Sequence, residues 1–270
     1  MTPEILFLLA AVGLVAGFAG GLFGIGGGVV IVPALYTSFN QAGIDDTLAI
    51  KLAIGTSMAT IIVTSIRSVM RHGKHGNVEW SVLKSWTPAL AVGAVLGAVA
   101  ARYIDGRVLI GIFGAGLVML ATQRMMTAGR KASSPSGDMP GRHQQYGMAA
   151  GTGMVSSLLG IGGGVIGVLL LTHAGRTVHK AVGTAAGFGL AISVPGTIGY
   201  LASGMGAGVA PWSIGFVSIP GFLAVASGTF FGAPLGASAA ARLSEVLLTR
   251  IFASYAALTG ILMLIESVKG

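Results

Sequence analysis

The sequence predicts an all-α polytopic membrane protein: two inverted repeats of four hydrophobic segments, the first of each a glycine-broken re-entrant hairpin. Three observations carry this reading. Charged residues make up 9% of the 270 positions and hydrophobic ones 53%, against about 25% charged in soluble domains; mean hydropathy is +0.85. The 45 glycines, with 7% aromatic residues, suit close helix contact rather than β-barrel alternation. The stretch Gly24-Ile25-Gly26-Gly27-Gly28 returns as Gly160-Ile161-Gly162-Gly163-Gly164, each copy inside a long apolar run.

The segments fall at 4–36, 47–70, 82–101, 107–126, 145–172, 180–202, 212–240 and 246–265, most of them long enough for a hydrocarbon core of about 30 Å. Segments one and five hold the glycine clusters. Glycine in a helix interior costs about 1 kcal/mol relative to alanine, so neither run can be one straight helix. In lipid such a break is tolerated only where its freed backbone groups face protein or a water-filled cavity. Segments two and six share Ala53-Ile54-Gly55-Thr56 and Ala181-Val182-Gly183-Thr184. Segments three and seven share Trp80-Ser81 with Pro88 and Trp212-Ser213 with Pro220. Both carry small residues every fourth position: Ala89, Gly93, Gly97 and Ala101, then Ala224, Gly228, Gly232, Gly236 and Ala240. Such stripes are scaffold, letting backbones approach. Segments four and eight share Ile112-Phe113 and Ile251-Phe252. The correspondence is an internal duplication: a first repeat over 1–123, a polar, basic linker over 124–144, and a second repeat over 145–270.

Charge sets the expected topology. If segments one and five start and end on one side, the loop with Asp45 and Asp46 is outside. Arg67, Arg71, Lys74, Arg124, Arg130, Lys131, Arg142, Arg176, Lys180, Arg242 and Arg250 are then all inside. Eight full crossings would scatter these charges, so the positive-inside bias favours hairpins and inverted repeats. The net charge of +8 is thereby explained without a nucleic-acid partner. The N-terminal stretch lacks a basic n-region and reads as mature structure. The absence of cysteine excludes disulfides and thiolate chemistry.

The candidate site follows from the breaks. A helix restarting after glycine presents unpaired N–H groups and the positive end of its dipole. Two such ends near the bilayer midplane would hold an anion without a formal charge. The candidates are Gly26, Gly27 and Gly28 with Gly162, Gly163 and Gly164; the alternative is that they only permit tight helix crossing. Thr56, Ser57 and Thr184 could donate hydroxyls, or could bond back to the i−4 carbonyl. Ser65 and Ser193 align between repeats and read as helix contacts, while Ser156 and Ser157 replace Gly20 and Gly21. Arg67, Lys51 and Lys180 could attract anions, or simply anchor at an interface. His72, His75, His173 and His179 read as solvated loop residues; Trp80, Trp86 and Trp212 read as interface anchors.

The paired glycine stretches, the two Gly-Thr pairs and Lys74-His75-Gly76-Asn77-Val78-Glu79-Trp80 resemble the sulfite exporter TauE/SafE family of bacterial membrane proteins, over residues 4–266. The resemblance implies a carrier of small sulfur-containing anions such as sulfite, sulfoacetate or related organosulfonates, in a bacterial inner membrane. Two departures suggest unequal halves: Leu169 replaces Pro33, and Gly208-Val209-Ala210-Pro211-Trp212 lacks the charges of the first-half loop. There is no GxxxxGK[ST] run and no HExxH motif, so no cofactor, metal or enzymatic activity is expected. A passive channel and a non-transporting membrane subunit are the competing readings. Nothing in the sequence chooses between monomer and homodimer. Gly27→Val and Gly163→Val are expected to abolish transport while sparing membrane insertion, by occupying the anion's place.

Overall fold

A computed structural model describes residues 3–23, 26–127, 141–207, 211–239 and 245–269. Residues 128–140 of the 124–144 linker, with Arg130 and Lys131, lie outside the described residues, as do Gly24, Ile25, Gly208, Val209, Ala210, Ala240 and Arg242. The chain is helical almost throughout. Helices α1 (Pro3–Phe23) and α2 (Gly28–Gln41) form segment one, followed by α3 (Asp46–Lys74), α4 (Trp80–Tyr103) and α5 (Gly106–Thr127). Helices α6 (Arg142–Leu159) and α7 (Gly164–His173) form segment five, followed by α8 (Val178–Gly204), α9 (Ile219–Ala239) and α10 (Glu245–Lys269). Two antiparallel two-residue strands, β1 (Ser213–Ile214) and β2 (Val217–Ser218), precede α9. Helices α1, α3, α4, α5, α8 and α9 are each long and apolar enough to cross a membrane.

Both glycine clusters interrupt a helix. Helix α1 ends at Phe23 and α2 begins at Gly28, with Gly27 in the left-handed region at φ 81°. Helix α6 ends at Leu159 on a left-handed Gly160, and α7 begins after Gly163 at φ 63°. The arms are unequal: α1 and α2 have 21 and 14 residues, α6 and α7 only 18 and 10.

Packing exchanges elements between the halves. Helix α1 lies along α9 and α6 along α4, while α3 meets α8 and α5 meets α10. The small-residue stripes form two of these seams. Gly228, Gly232 and Gly236 of α9 press on the Ala10, Leu14 and Phe18 carbonyls of α1. Gly93 of α4 presses on the Ala150 carbonyl of α6, and Gly153 answers on Leu90. Carbonyls this close to α-carbons replace side-chain packing with backbone contact. Helices α3 and α8 are the most enclosed of the six, 83% and 72% buried over their most apolar windows.

Candidate functional site

The two helix breaks meet. Gly28, the first residue of α2, lies directly against the Gly160 carbonyl and the Ile161 α-carbon, leaving no room for a β-carbon. Gly160 in turn packs on Val32 of α2 and Ile54 of α3. The Gly160 carbonyl accepts the Ser57 hydroxyl at 2.9 Å, and the Ser157 carbonyl accepts the Tyr200 hydroxyl at 3.1 Å. Those bonds satisfy acceptors that a helix C-terminus otherwise leaves open.

The breaks also lie halfway along the enclosed helices. Gly26 packs on Ile61 and Gly20 on the Thr64 methyl, a turn or less from the centre of α3. Gly163 packs on Ile192 and the Gly162 carbonyl approaches Gly189, both beside the centre of α8. The first turns of α2 and α7 therefore both start near the middle of the bundle; the Val30 N–H is taken by the Gly27 carbonyl, while the amides ahead of it have no acceptor within the helix.

The hydroxyl candidates divide. Ser57 donates to the Gly160 carbonyl at the meeting point. Thr56 and Thr184 each accept a backbone N–H from a distant element rather than bonding back within their own helix. Thr56 Oγ1 accepts the Ser218 backbone N–H at 2.9 Å, just ahead of α9. Thr184 Oγ1 accepts the Glu79 backbone N–H at 2.9 Å, just ahead of α4. Gly55 and Gly183, one residue earlier, pack on the Phe216 and Asn77 carbonyls. Each Gly-Thr pair thus clasps the entry to a helix of the opposite half. A hydroxyl that accepts an N–H keeps its own proton to donate.

The cations are dispersed. Lys51 is buried, and its ammonium donates to the Arg102 carbonyl at 3.0 Å, closing the end of α4. Arg67 stacks over the Phe230 ring at 4.3 Å with its buried Nε unpartnered, and the Arg71 Nε one turn on is likewise unpartnered. Lys180 is exposed. His72 is buried rather than solvated, its Nε2 3.4 Å from the Gly21 carbonyl. Trp80 and Trp212 project outward, but Trp86 does not anchor at a surface. It is 2% exposed, stacks on Phe188 and donates from Nε1 to Gln145 at 3.1 Å.

Two features go beyond the sequence reading. Arg176 Nε pairs with Glu79 Oε2 at 3.2 Å, joining the α7–α8 connection to the α3–α4 loop. Ser156, Ser157 and Ser193 carry buried hydroxyls without a partner. The replacement of Gly20-Gly21 by Ser156-Ser157 was the available signal for the serines.

Comparison with known proteins gives the family. The sequence model of the family described as sulfite exporter TauE/SafE matches residues 9–263. A Haemophilus influenzae protein named probable membrane transporter protein is 33% identical over 262 residues, covering 97% of this chain and 98% of the relative. A Methanocaldococcus jannaschii protein of the same description is 30% identical over 260 residues, covering 96% and 95%. A Bacillus subtilis relative, also a probable membrane transporter protein, is 25% identical over 248 residues, covering 86% and 87%. No solved structure matches the chain. With six apolar helices of membrane-crossing length and a family match across nearly its whole length, this multi-pass membrane protein belongs to the sulfite exporter TauE/SafE family.

Proposed function

We propose that the protein is a secondary transporter of the bacterial inner membrane, exporting a small sulfur-containing anion by alternating access. Sulfite, sulfoacetate and related organosulfonates are the candidate cargo. The observation that carries the proposal is the contact of Gly28, the first residue of α2, with Gly160, which closes α6 four residues ahead of α7; it sets the two breaks side by side halfway along α3 and α8. The anion is held there by the amide ends at Gly26, Gly27 and Gly28 and at Gly162, Gly163 and Gly164, with Ser57 beside them and Thr56 and Thr184 further along the path, each with a proton left to donate. Arg67, Lys51 and Lys180 play the lesser part of raising the local anion concentration.

The re-entrant, inverted topology belongs to the same proposal. The Arg176–Glu79 ion pair supports it, because it joins the α3–α4 and α7–α8 connections at one end of the molecule. Hairpins at both breaks require that; eight full crossings would put those loops on opposite sides. A negative-inside potential then drives anion efflux by about 2.3 kcal/mol per charge per 100 mV.

Uptake of labelled sulfite, sulfoacetate and sulfate into proteoliposomes, with and without an imposed potential, tests the reading. Saturable flux of sulfite or sulfoacetate that follows the potential is expected. Transport of none of the three would overturn the substrate class, and non-saturating flux would favour a channel.

A further inference from the structure

The two breaks differ chemically, although the sequence repeats them. At the first, Gly20 stands beside the Gly27 backbone nitrogen, and Ile61 and the Thr64 methyl cover the turn. At the second, Ser156 replaces Gly20, and its hydroxyl lies 3.4 Å from the place a β-carbon on Gly163 would take. That hydroxyl is fully buried and has no partner. Ser157, also fully buried and unpartnered, points its hydroxyl at Gly196 of α8. Ser193, again fully buried and unpartnered, sits on α8 between Gly196 and Gly189. Gly189 meets both the Ser65 hydroxyl and the Gly162 carbonyl. Where the first break has Gly20, the second has the Ser156 hydroxyl beside Ile192; on the first side the nearest buried, unpartnered hydroxyl is Ser68, one turn of α3 beyond Thr64.

Leaving a buried hydroxyl unpaired costs about 1–3 kcal/mol, and native proteins rarely keep several together unless something else satisfies them. All three could have been alanine without loss of packing. We propose that Ser156, Ser157 and Ser193 are the donors for a singly charged oxyanion seated at the second break, the first serving as its apolar backing. This rests on the transport reading above and makes its site lopsided. Among the described residues no charged side chain touches these hydroxyls. Neutral donors and amide dipoles balance one negative charge; a second would stay uncompensated in a dry site. The fit is to a singly charged sulfonate, which narrows the candidate cargo above by leaving out sulfoacetate, a dianion at neutral pH.

The full-length protein in detergent, titrated with methanesulfonate, sulfite and sulfate by calorimetry and thermal shift, tests this. The expected result is tighter binding of methanesulfonate than of sulfate. Ser156→Ala and Ser193→Ala should each weaken binding about tenfold or more while leaving the unliganded melting temperature unchanged or higher. A purely structural serine would lower that temperature and leave affinity alone. Thr64→Val, on the first-break side, should keep wild-type affinity. If the wild type binds while both serine variants bind equally well, or if sulfate binds as tightly as methanesulfonate, the lopsided monoanion site is wrong and the transport reading stands. If the wild type binds none of the three, both fall.

Discussion

Gly28 and Gly160 touch backbone to backbone, a carbonyl of one break filling the space that a side chain on the other would need. Residues 132 positions apart in the chain are thereby made neighbours with nothing between them. Gly28→Ala should force the breaks apart, lowering stability by about 1–3 kcal/mol, as overpacking does. Transport should fall further than the melting temperature predicts. Thermal denaturation and proteoliposome flux on the same preparation check this.

Gly27→Val and Gly163→Val are less clean probes than the sequence suggests. Both glycines have left-handed backbone, and added carbons would meet the Ala16 carbonyl and Ile192. Both variants should therefore lose stability as well as activity, by about 1–3 kcal/mol from backbone strain alone. Thermal unfolding of the purified variants reads this; wild-type stability in either would contradict the geometry.

The two Thr clasps should behave as independent units of unequal strength. Thr56→Val strands the buried Ser218 amide and should cost about 1–3 kcal/mol; Thr184→Val strands the Glu79 amide, less deeply, and should cost about 1 kcal/mol. The clasps share no residue, so the double variant should lose close to the sum. A thermal-unfolding series measures all three.

Ser57→Ala removes the only side-chain donor recorded for the Gly160 carbonyl among the described residues. The expected loss is about 1 kcal/mol, with a larger effect on substrate KM because the second break loses its fixed position. Ser57→Thr should restore part of both; stability and transport kinetics, taken together, report it.

Topology has its own test, since the chain has no cysteine. Glu79→Cys and Arg176→Cys, made singly, should each react with an impermeant thiol reagent from the same face of intact vesicles. Labelling from opposite faces would reject the hairpin arrangement.

Much of the scaffold was legible in the sequence, because its causes are local. Glycine clusters break helices wherever they fall, and a four-residue spacing of Gly93 and Gly97, or of Gly228, Gly232 and Gly236, is itself the shape of a packing seam. The roles of Thr56 and Thr184 were not legible. Their acceptor contacts lie 162 and 105 residues away, and no local pattern encodes which half supplies the partner. Trp86 failed for the same reason: it starts a segment like an anchor, and only the fold brings Gln145 and Phe188 around it. Ser156 was visible as a departure from the repeat, but its orphaned hydroxyl appears only once its neighbours are known.

Because α1 rests on α9, α6 on α4, and each threonine on the other half's helix, neither half is a self-sufficient unit. A chain cut within the linker should yield fragments that are insoluble or degraded when made singly, yet reassemble when made together.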